Sequence, residues 1–179
     1  MREKRRGKVR TPYIETERLI VSLWEEKDEF LGYALFGNEI IASYWTRYIF
    51  TKDDIDSIIR KEKLHFKDSK MCLFPIFTKD KYAFIGVCGI HKFKEHYQFV
   101  IIFLPHQWHQ GYGQEVGKAI IDYAFDELQI PYLIAARCED DEYCEYVYKK
   151  LGFQEVRNCF RTPNDKPYHT YLLEKESID

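Results

Sequence analysis

The chain is organised around residues 100–128, which read VIIFLPHQWHQGYGQEVGKAIIDYAFDEL. The apolar run from Val100 to Leu104 is short and rich in β-branched residues, which is typical of a strand buried on both faces. Pro105 ends that strand because its nitrogen has no hydrogen to donate. A glycine turn follows, and the apolar residues after it have the spacing of one helical face: Val116, Ala119, Ile120, Tyr123, Ala124 and Leu128.

A strand, a glycine turn and a helix can together present free backbone N–H groups and a positive helix end to an anion, typically a phosphate. The turn contains Gly111 and Gly113. A Gly-x-Gly turn more often serves only to reverse the chain. It is not a P-loop, because no Lys-Ser or Lys-Thr follows, and it lacks the third glycine of a dinucleotide fingerprint. Phosphate binding and chain reversal both stay open on this pattern alone.

Length and composition favour one folded domain. A chain of 179 residues can bury a sizeable core, and its 45% hydrophobic content excludes a disordered protein. The formal charge of −2 argues against a nucleic-acid partner. We expect no membrane partner, because no apolar stretch approaches the roughly 20 residues that cross a bilayer. We predict a basic flexible tail over residues 1–12 and a single domain over residues 13–179.

Cysteine and histidine spacing gives no sign of a metal site. The five cysteines are odd in number and lack C-x-x-C spacing, which fits a reducing, cytoplasmic location. The six histidines include no H-E-x-x-H pair. We therefore predict neither a structural nor a catalytic metal.

Hydrophobic periodicity and turn residues predict alternating strands and helices. Strands are predicted at residues 18–24, 71–78, 82–91, 97–104, 132–137, 153–161 and 168–174. Helices are predicted at residues 25–36 and 51–69, from the glycine turn to Leu128, and in a segment ending near Leu151. The first helix would place Phe30, Tyr33 and Ala34 on one side, and Thr51 with Asp54 would cap the second.

This order of elements predicts an α/β (α+β) fold: a mixed, mainly antiparallel central sheet with helices on both faces. The one strand–helix–strand crossover contains the glycine turn. Ligands of such sheets gather outside the carboxyl ends of parallel strands, so the turn would lie at the site.

Three segments carry a family resemblance. They are IETERLIVSLWEEKD at residues 14–28, WHQGYGQE at residues 108–115, and YKKLGF at residues 148–153. In this order they resemble the GNAT superfamily of acetyl-CoA-dependent N-acetyltransferases, most of all the branch of ribosomal-protein N-terminal, polyamine and antibiotic-modifying acetyltransferases. Four positions depart from the usual arginine, glycine, asparagine and serine of that pattern: Ser22, His109, Asp141 and Cys144.

The resemblance implies that residues 13–179 form one N-acetyltransferase domain that uses acetyl-CoA as co-substrate. It implies a β-bulge and a splayed strand pair, with the pantetheine arm between the strands. Backbone groups around Phe103 and Leu104 would hold that arm and polarise the thioester. The remaining coenzyme-binding positions that it implies are His109, Gln110, Gly111, Tyr112, Gly113, Gln114, Asp141 and Tyr148. Gly111 and Gly113 would allow the pyrophosphate to approach the main chain.

The family geometry also suggests the catalytic groups. Tyr148 would donate a proton to the departing thiolate, although a tyrosine in this pattern can equally be a packing residue. His91, at the end of a central strand, is the first hypothesis for a base that deprotonates the amine, and His106 is the second. Ordered water could replace both.

Three further groups of residues could contribute to the site: a cysteine, an acidic segment and an aromatic group. An acyl-cysteine on Cys144 is rejected, because no neighbouring histidine in the sequence would activate the thiol. The acidic residues Glu139, Asp140, Asp141, Glu142 and Glu145 could attract a cationic amine, but a solvated helix start is the commoner meaning. The aromatic residues Tyr44, Trp45, Tyr48 and Phe50 could line an acceptor pocket or lie in a core.

The sequence thus predicts acetyl transfer from acetyl-CoA to a primary amine, on a small molecule or a peptide, by direct attack in a ternary complex. Polyamine or antibiotic acetylation is the alternative to acetylation of a protein N-terminus. A non-catalytic acyl-CoA-binding module on the same fold is the other alternative, because fold does not fix function. Exposed aromatic residues would suit a homodimer.

Overall fold

The computed structural model describes residues 9–45, 48–138, 141–156 and 168–175. Eight strands of this part of the chain form one sheet in the order β1-β2-β3-β4-β5-β6-β8-β7. Their bounds are β1 Ile14–Glu15, β2 Leu19–Val21, β3 Leu73–Thr78, β4 Phe84–Phe93, β5 His96–Phe103, β6 Tyr132–Cys138, β7 Gln154–Val156 and β8 Tyr168–Glu174. Between described residues, only β5 and β6 pair in parallel. The predicted mixed, mainly antiparallel sheet is confirmed.

Helices cover both faces of the sheet, as predicted. Within the described ranges they are α1 Glu29–Phe36, α2 Glu39–Trp45, α3 Lys52–Ser69, α4 Tyr112–Asp122 and α5 Glu142–Lys150. A π-helical segment, Tyr123–Glu127, continues α4. The α4 face buries Val116 and Ile120 in one core, and the α1 and α3 face buries Leu35 and Ile59 in a second core. None of the helices described is both long and apolar enough to cross a membrane.

The capping box of α3 is confirmed. The Thr51 side chain accepts a hydrogen bond from the Asp54 amide at 3.3 Å, and the Asp54 carboxylate accepts one from the Thr51 amide at 2.9 Å. Such a cap stabilises a helix by about 1 kcal/mol. The helix buries Ile55 and Ile59 and ends at Ser69, where the prediction placed its end.

The N-terminal part of the chain differs from the prediction. Arg10 is buried and binds Asp28 at 2.5 and 2.7 Å, so a flexible tail that reaches residue 12 is wrong. Residues 1–8 of that tail lie outside the described residues. Asp28 also accepts a hydrogen bond from the Glu25 amide, which holds residues 25–28 in a turn before α1. Helix α1 consequently starts later than predicted, and it buries Leu31 and Leu35 while Phe30 is exposed.

The regular pairing of β3 with β4 is interrupted by a bulge in β4. The pairing of β3 with β4 shifts by one residue between Ile76 and Phe77, opposite Gly86. Gly86 has φ of 148°, and a Cβ there would lie 2.2 Å from the carbonyl oxygen of Ile102. Because of this close approach only glycine fits. The implied bulge thus lies on the strand beside β5, and not on β5 itself.

The two edges of β5 differ. On one edge it pairs with β4 along its whole length, from Phe93↔His96 to Gly86↔Phe103. On the other edge, the described residues of β5 and β6 pair only at Gln98↔Ile134. Beyond that pair the strands separate, which confirms the predicted splayed pair. Strand β8 matches its predicted bounds, whereas residues 157–167 of the predicted final hairpin lie outside the described residues.

Candidate active site

A cleft of about 310 Å³ opens where β5 and β6 separate. Its volume lies in the range of small-molecule sites, roughly 300–1,000 Å³. Both strands, the loop before α4, and α5 contribute walls, and α2 closes one end with Ile41 and Tyr44. Residues on the α5 side include Asp141, Cys144 and Tyr148. The predicted site residues Phe103, His109, Asp141 and Tyr148 therefore meet in one cleft.

The main chain of β5 presents alternate groups to this cleft. The Leu104 amide donates to the Ile85 carbonyl oxygen at 2.9 Å, on the β4 edge. Since the direction of N–H and C=O alternates along an antiparallel ladder, the groups of Ile101 and Phe103 point towards β6 and the gap. The Phe103 carbonyl accepts a hydrogen bond from Trp108 Nε1 at 2.8 Å on that side. A role for the Leu104 amide in polarising the thioester is thus wrong, because that amide is already bonded.

The N-terminus of α4 lies beside the cleft. Gly111 precedes the helix with φ of 77°, a left-handed conformation that favours glycine. The amides of Tyr112, Gly113 and Gln114 occupy the first turn, where a helix supplies no acceptors of its own. A second hollow of about 280 Å³ is lined by His109, Gly111 and Gln114 and by residues of α5. The loop therefore combines free-standing donors with space for an anion.

The two glycines of the turn have different structural reasons. A Cβ on Gly111 would come no closer than 3.4 Å to Arg18, so its backbone angle is what requires glycine. A Cβ on Gly113 would lie 3.2 Å from both the Tyr143 hydroxyl and Val147. Gly113 thus allows α4 to pack closely on α5. This contact was not predicted, because the family resemblance implied only that both glycines let the pyrophosphate approach the main chain. His109 itself adopts φ of 59°, which explains why the related pattern has glycine there.

A polar clamp joins the first strand to the turn. Glu115, in the first turn of α4, accepts hydrogen bonds from the Thr16 hydroxyl at 2.5 Å, the Arg18 amide at 2.7 Å and Arg18 Nε at 2.6 Å. Arg18 Nη1 also donates to the Gln110 carbonyl at 3.0 Å. Burial alone would raise the pKa of Glu115, but the bonds from Thr16 and Arg18 outweigh it and lower the pKa. Thr16 and Arg18 belong to the first of the three family segments and Glu115 to the second, so this contact joins two segments that are distant in the sequence and could not be predicted from either one.

Tyr148 is buried at 3% exposure in the wall of the cleft. Its hydroxyl lies 3.4 Å from the Ala136 carbonyl, and its ring contacts Phe99 and Phe153. Burial, followed by the nearby Cys144 and Asp141, raises the pKa of this phenol well above its usual value. Tyr148 is therefore both a packing residue and a protonated hydroxyl at the cleft.

The structure does not bring the predicted bases to the cleft. His91 lies on β4, and its Nε2 atom is 2.9 Å from Oε1 of Glu62 on α3. His106 lies in the short 3₁₀ turn after β5 and is exposed. Neither side chain is part of the cleft wall. The hypothesis that His91 is the base fails because alternation along β4 points its side chain to the α3 face.

An aromatic group frames the cleft, and its Tyr143 is not among the residues predicted from the sequence. Tyr143 stacks on Trp108 with ring centres 6.2 Å apart and meets His109 at 5.0 Å. Burial, then Cys144, raises the pKa of Tyr143 to about 12. Tyr44 meets Trp108 edge to face, with ring centres 5.9 Å apart. The helical spacing of Tyr143 and Tyr148 on α5 does not by itself reveal this arrangement, since Trp108 comes from a distant loop.

The predicted acceptor-pocket residues separate in the structure. Tyr44 lines the cleft, whereas Tyr48 bonds to Asp54 at 3.1 Å and Phe50 contacts Phe36 in the second core. The side chain of Trp45 lies outside the described residues.

The acidic segment before α5 has structural partners. Asp141 caps the helix by accepting from the Cys144 amide at 2.9 Å, and Glu145 binds Arg137 at 2.5 Å. Glu139 and Asp140 lie outside the described residues. Burial, then Asp141, raises the pKa of the Cys144 thiol well above its usual value, which opposes formation of a nucleophilic thiolate.

Known proteins are similar to this chain in sequence and in fold. A family model described as the acetyltransferase (GNAT) domain matches residues 18–154. The uncharacterized N-acetyltransferase YnaD of Bacillus subtilis (strain 168) is 28% identical over 172 residues, which cover 92% of this chain and 98% of that protein. A GNAT-family acetyltransferase from Bacillus anthracis has a similar structure, with a TM-score of 0.75 and 23% identity, covering 90% of this chain and 97% of the other.

A further similar structure is that of spermidine N-acetyltransferase from Vibrio cholerae in complex with CoA and spermine. It gives a TM-score of 0.70 and 20% identity over 87% of this chain and 95% of that one. The residues matched by the family model include Arg18, the glycine turn and Tyr148, which are the parts that the structure assembles around the splayed strands. On this agreement of sequence, fold and cleft, the chain belongs to the GNAT family of acetyltransferases.

Proposed function

We propose that this acetyltransferase binds acetyl-CoA in the gap between β5 and β6 and transfers its acetyl group directly to a primary amine. The observation that carries the proposal is the parting of these strands after Gln98↔Ile134, with Tyr148 in the wall and the start of α4 beside it. An apolar gap with a helix N-terminus at its mouth suits a ligand that has a long neutral arm and a diphosphate.

The residues of the gap fit that coenzyme in two places. The first-turn amides Tyr112, Gly113 and Gln114 would hold the diphosphate, with Gln110 and His109 flanking it. Arg18 adds a positive charge next to Gly111. The amides of Ile101 and Phe103 would donate to the thioester carbonyl, where negative charge develops during attack. One such donor is typically worth about 3 kcal/mol of transition-state stabilisation.

In the reaction, a bond forms between the amine nitrogen and the acetyl carbon, and the carbon–sulfur bond breaks. Tyr148 stays protonated and donates to the sulfur that leaves. A free thiol has a pKa of about 8.5, so full transfer from a phenol would be uphill in water. In this cleft, however, the buried Cys144 thiol has a raised pKa too. The same desolvation would raise the basicity of a leaving thiolate, so that the thiolate would take the proton of Tyr148 as it leaves. Solvent would then return a proton to the strongly basic phenolate of Tyr148 before the next turnover.

Solvent accepts the proton from the amine in this proposal. His91 and His106 are outside the cleft wall, and ordered water was the remaining alternative. An amine with a pKa of ~10 is mostly protonated at neutral pH, so the reactive fraction grows about tenfold for each pH unit.

The acceptor side favours a cationic small molecule, with a polyamine as the second, narrower candidate. Asp141 and Glu142 both line the cleft and can attract a positive charge. Tyr44 and Trp108 add aromatic surface, which also attracts cations. The structural likeness to a spermidine N-acetyltransferase agrees with this candidate. A peptide N-terminus is the competing acceptor, and a homodimer and a cytoplasmic location stay predictions.

The test measures release of free thiol from acetyl-CoA with spermidine, an aminoglycoside, and a peptide with a free N-terminus, each against a reaction without amine. We expect amine-dependent release and a dissociation constant for CoA in the micromolar range by calorimetry. CoA binding without release for any amine would support the non-catalytic module instead. Absence of CoA binding at millimolar concentration would overturn the proposal.

A further inference from the structure

Three residues of metal-binding types, one glutamate and two histidines, meet on the α3 side of the sheet. Glu62 and His65 lie on α3, and His91 lies on β4. One ligand atom from each lies within 4.8 Å of the other two. None of these three residues lines the cleft between β5 and β6. This group is therefore separate from the proposed acetyl-transfer cleft.

Glu62 is a carboxylate in a buried setting. Its side chain is 3% exposed, and Oε2 accepts a hydrogen bond from the Leu73 amide at 2.6 Å. Nε2 of His91 lies 2.9 Å from Oε1 and 3.0 Å from Oε2. A carboxylate is rarely buried without paired charge, because its desolvation is costly. The bond from Leu73 fixes its orientation in the way that outer hydrogen bonds orient metal ligands.

His65 completes the group from the exposed side. It follows Glu62 by three positions on α3, which places both on one face of the helix. Its ring is 5.6 Å from that of His91 and nearly perpendicular to it, at 79°. Two imidazoles and one carboxylate thus converge from a helix and a strand, with one side open to solvent.

We propose that Glu62, His65 and His91 bind a divalent transition-metal ion, with Zn²⁺ as the reference ion and solvent in the fourth position. Zinc bonds to nitrogen and oxygen are about 2.0–2.2 Å long, so tetrahedral ligand atoms lie about 3.4 Å apart. Nε2 of His91 lies 2.9 Å from Oε1 of Glu62, so these two ligand atoms must move apart by about half an ångström to admit the ion, while all three ligand atoms already lie within 4.8 Å of one another. Two histidines with one carboxylate are a common ligand set for such ions.

The prediction of no metal depended on the lack of an H-E-x-x-H pair and of C-x-x-C spacing in the chain. The overlooked signal is Glu62-x-x-His65, which puts two ligands on one face of α3. The third ligand, His91, comes from β4, and this contact is visible only in the fold. Bound metal would connect α3 to β4, and His91 pairs with Gln98, the residue at which β5 and β6 begin to part.

The test uses the full chain, stripped of metal by a chelator and titrated with ZnCl₂ in a calorimeter. We expect one site, and we expect His65→Ala to weaken it by tenfold or more, because loss of even an outer-shell partner costs about 10–100-fold in affinity. His65 is exposed, so this variant should fold, which circular dichroism will check. Glu62→Gln keeps the shape of the buried side chain and should weaken binding similarly.

The matched control is His169→Ala. His169 forms a pair with Glu155 at 2.5 Å, and this pair belongs to no cluster of three possible ligands among the described residues. Zinc affinity should stay within twofold of the unaltered protein. Titration with Co²⁺ adds a second readout, because sulfur ligands give an intense near-ultraviolet band that nitrogen and oxygen ligands do not. Equal zinc affinity in all variants, a cobalt–sulfur band, or no zinc binding at millimolar concentration would each overturn the proposal.

Discussion

The two edges of β5 show how one apolar strand serves two purposes. On the β4 edge, every position from His96 to Phe103 is paired, and Gly86 brings the two backbones into close contact. On the β6 edge, pairing in the described residues stops at Gln98. Both edges are formed by the same apolar run of residues, so amino-acid composition does not distinguish one edge from the other. What differs is the neighbouring backbone: the paired edge stabilises the sheet, and the open edge leaves amides for a ligand.

The paired edge should be the most sensitive to an added methyl group. Gly86→Ala places a Cβ 2.2 Å from the Ile102 carbonyl oxygen, so backbone must move. We expect a loss of about 3 kcal/mol or more in the free energy of unfolding. That corresponds to a melting temperature about 10 °C lower for a chain of this size. Gly117→Ala is the control, because its new contact is with the movable side chain of Leu151. Equal melting of both variants would contradict a tightly paired edge.

A substitution beside the open edge should lower turnover and leave the free energy of unfolding nearly unchanged. Tyr148→Phe removes the hydroxyl that lies in the cleft wall, and a positioned proton donor typically contributes 10²–10⁴-fold. We expect kcat to fall about 100-fold, or about 2.7 kcal/mol, with the dissociation constant of CoA within twofold. Tyr146→Phe on the same helix is the control, since that ring is 54% exposed. If the Tyr148→Phe enzyme keeps its full kcat, the hydroxyl has no role in proton donation and Tyr148 serves only in packing.

The clamp at the turn should affect coenzyme binding. Arg18→Ala removes the bonds to Glu115 and Gln110 together with the positive charge beside Gly111. We expect CoA to bind about tenfold more weakly, a change of about 1.4 kcal/mol, measured by calorimetry. The control is Lys79→Ala, which removes a nearby half-buried lysine paired with Glu15 at 2.8 Å. Similar losses in the two variants would point to general surface charge and not to the clamp.

The acceptor end of the cleft should give the smallest change. Tyr44→Ala removes the ring that contacts Trp108, an interaction worth about 1 kcal/mol. We expect KM for the amine to rise about fivefold while CoA affinity stays constant. Tyr48→Ala serves for comparison, because that residue bonds to Asp54 away from the cleft. If CoA affinity falls instead, the ring belongs to the coenzyme side.

The value of kcat/KM should not fall as the pH is raised towards 10. The raised pKa of Tyr148 means that its proton is lost only above the usual value of about 10. The donor is thus fully present at neutral pH, and kcat/KM should rise with pH as the amine loses its proton. Steady-state rates from pH 6 to 10 will check this. An inflection near pH 6.5 would instead indicate an essential histidine.

Local signals predicted the elements, and long-range contacts decided the site. Thr51 and Asp54 fixed the start of α3 because a capping box involves four consecutive residues. The short helix Glu39–Trp45 was missed because its 7 residues are too few to show a clear helical period. Asn38 is the signal that was overlooked, since its side chain accepts hydrogen bonds from the Ile40 and Ile41 amides at 3.0 and 3.2 Å and so caps the helix. His91 was proposed as the base from its position at the end of a central strand, and that position does not say which helix lies opposite the side chain. The clamp of Thr16, Arg18 and Glu115 joins residues almost a hundred positions apart.

The alternating direction of β5 amides has a consequence for hydrogen exchange. The amides of Val100, Ile102 and Leu104 point to β4, where Leu104 bonds to Ile85, and should exchange slowly with deuterium whether or not ligand is present. Those of Ile101 and Phe103 point to the gap and should become protected only when coenzyme fills it. Binding in the cleft would then slow the exchange of every second amide along β5. Global stabilisation of the protein cannot produce such an alternating pattern.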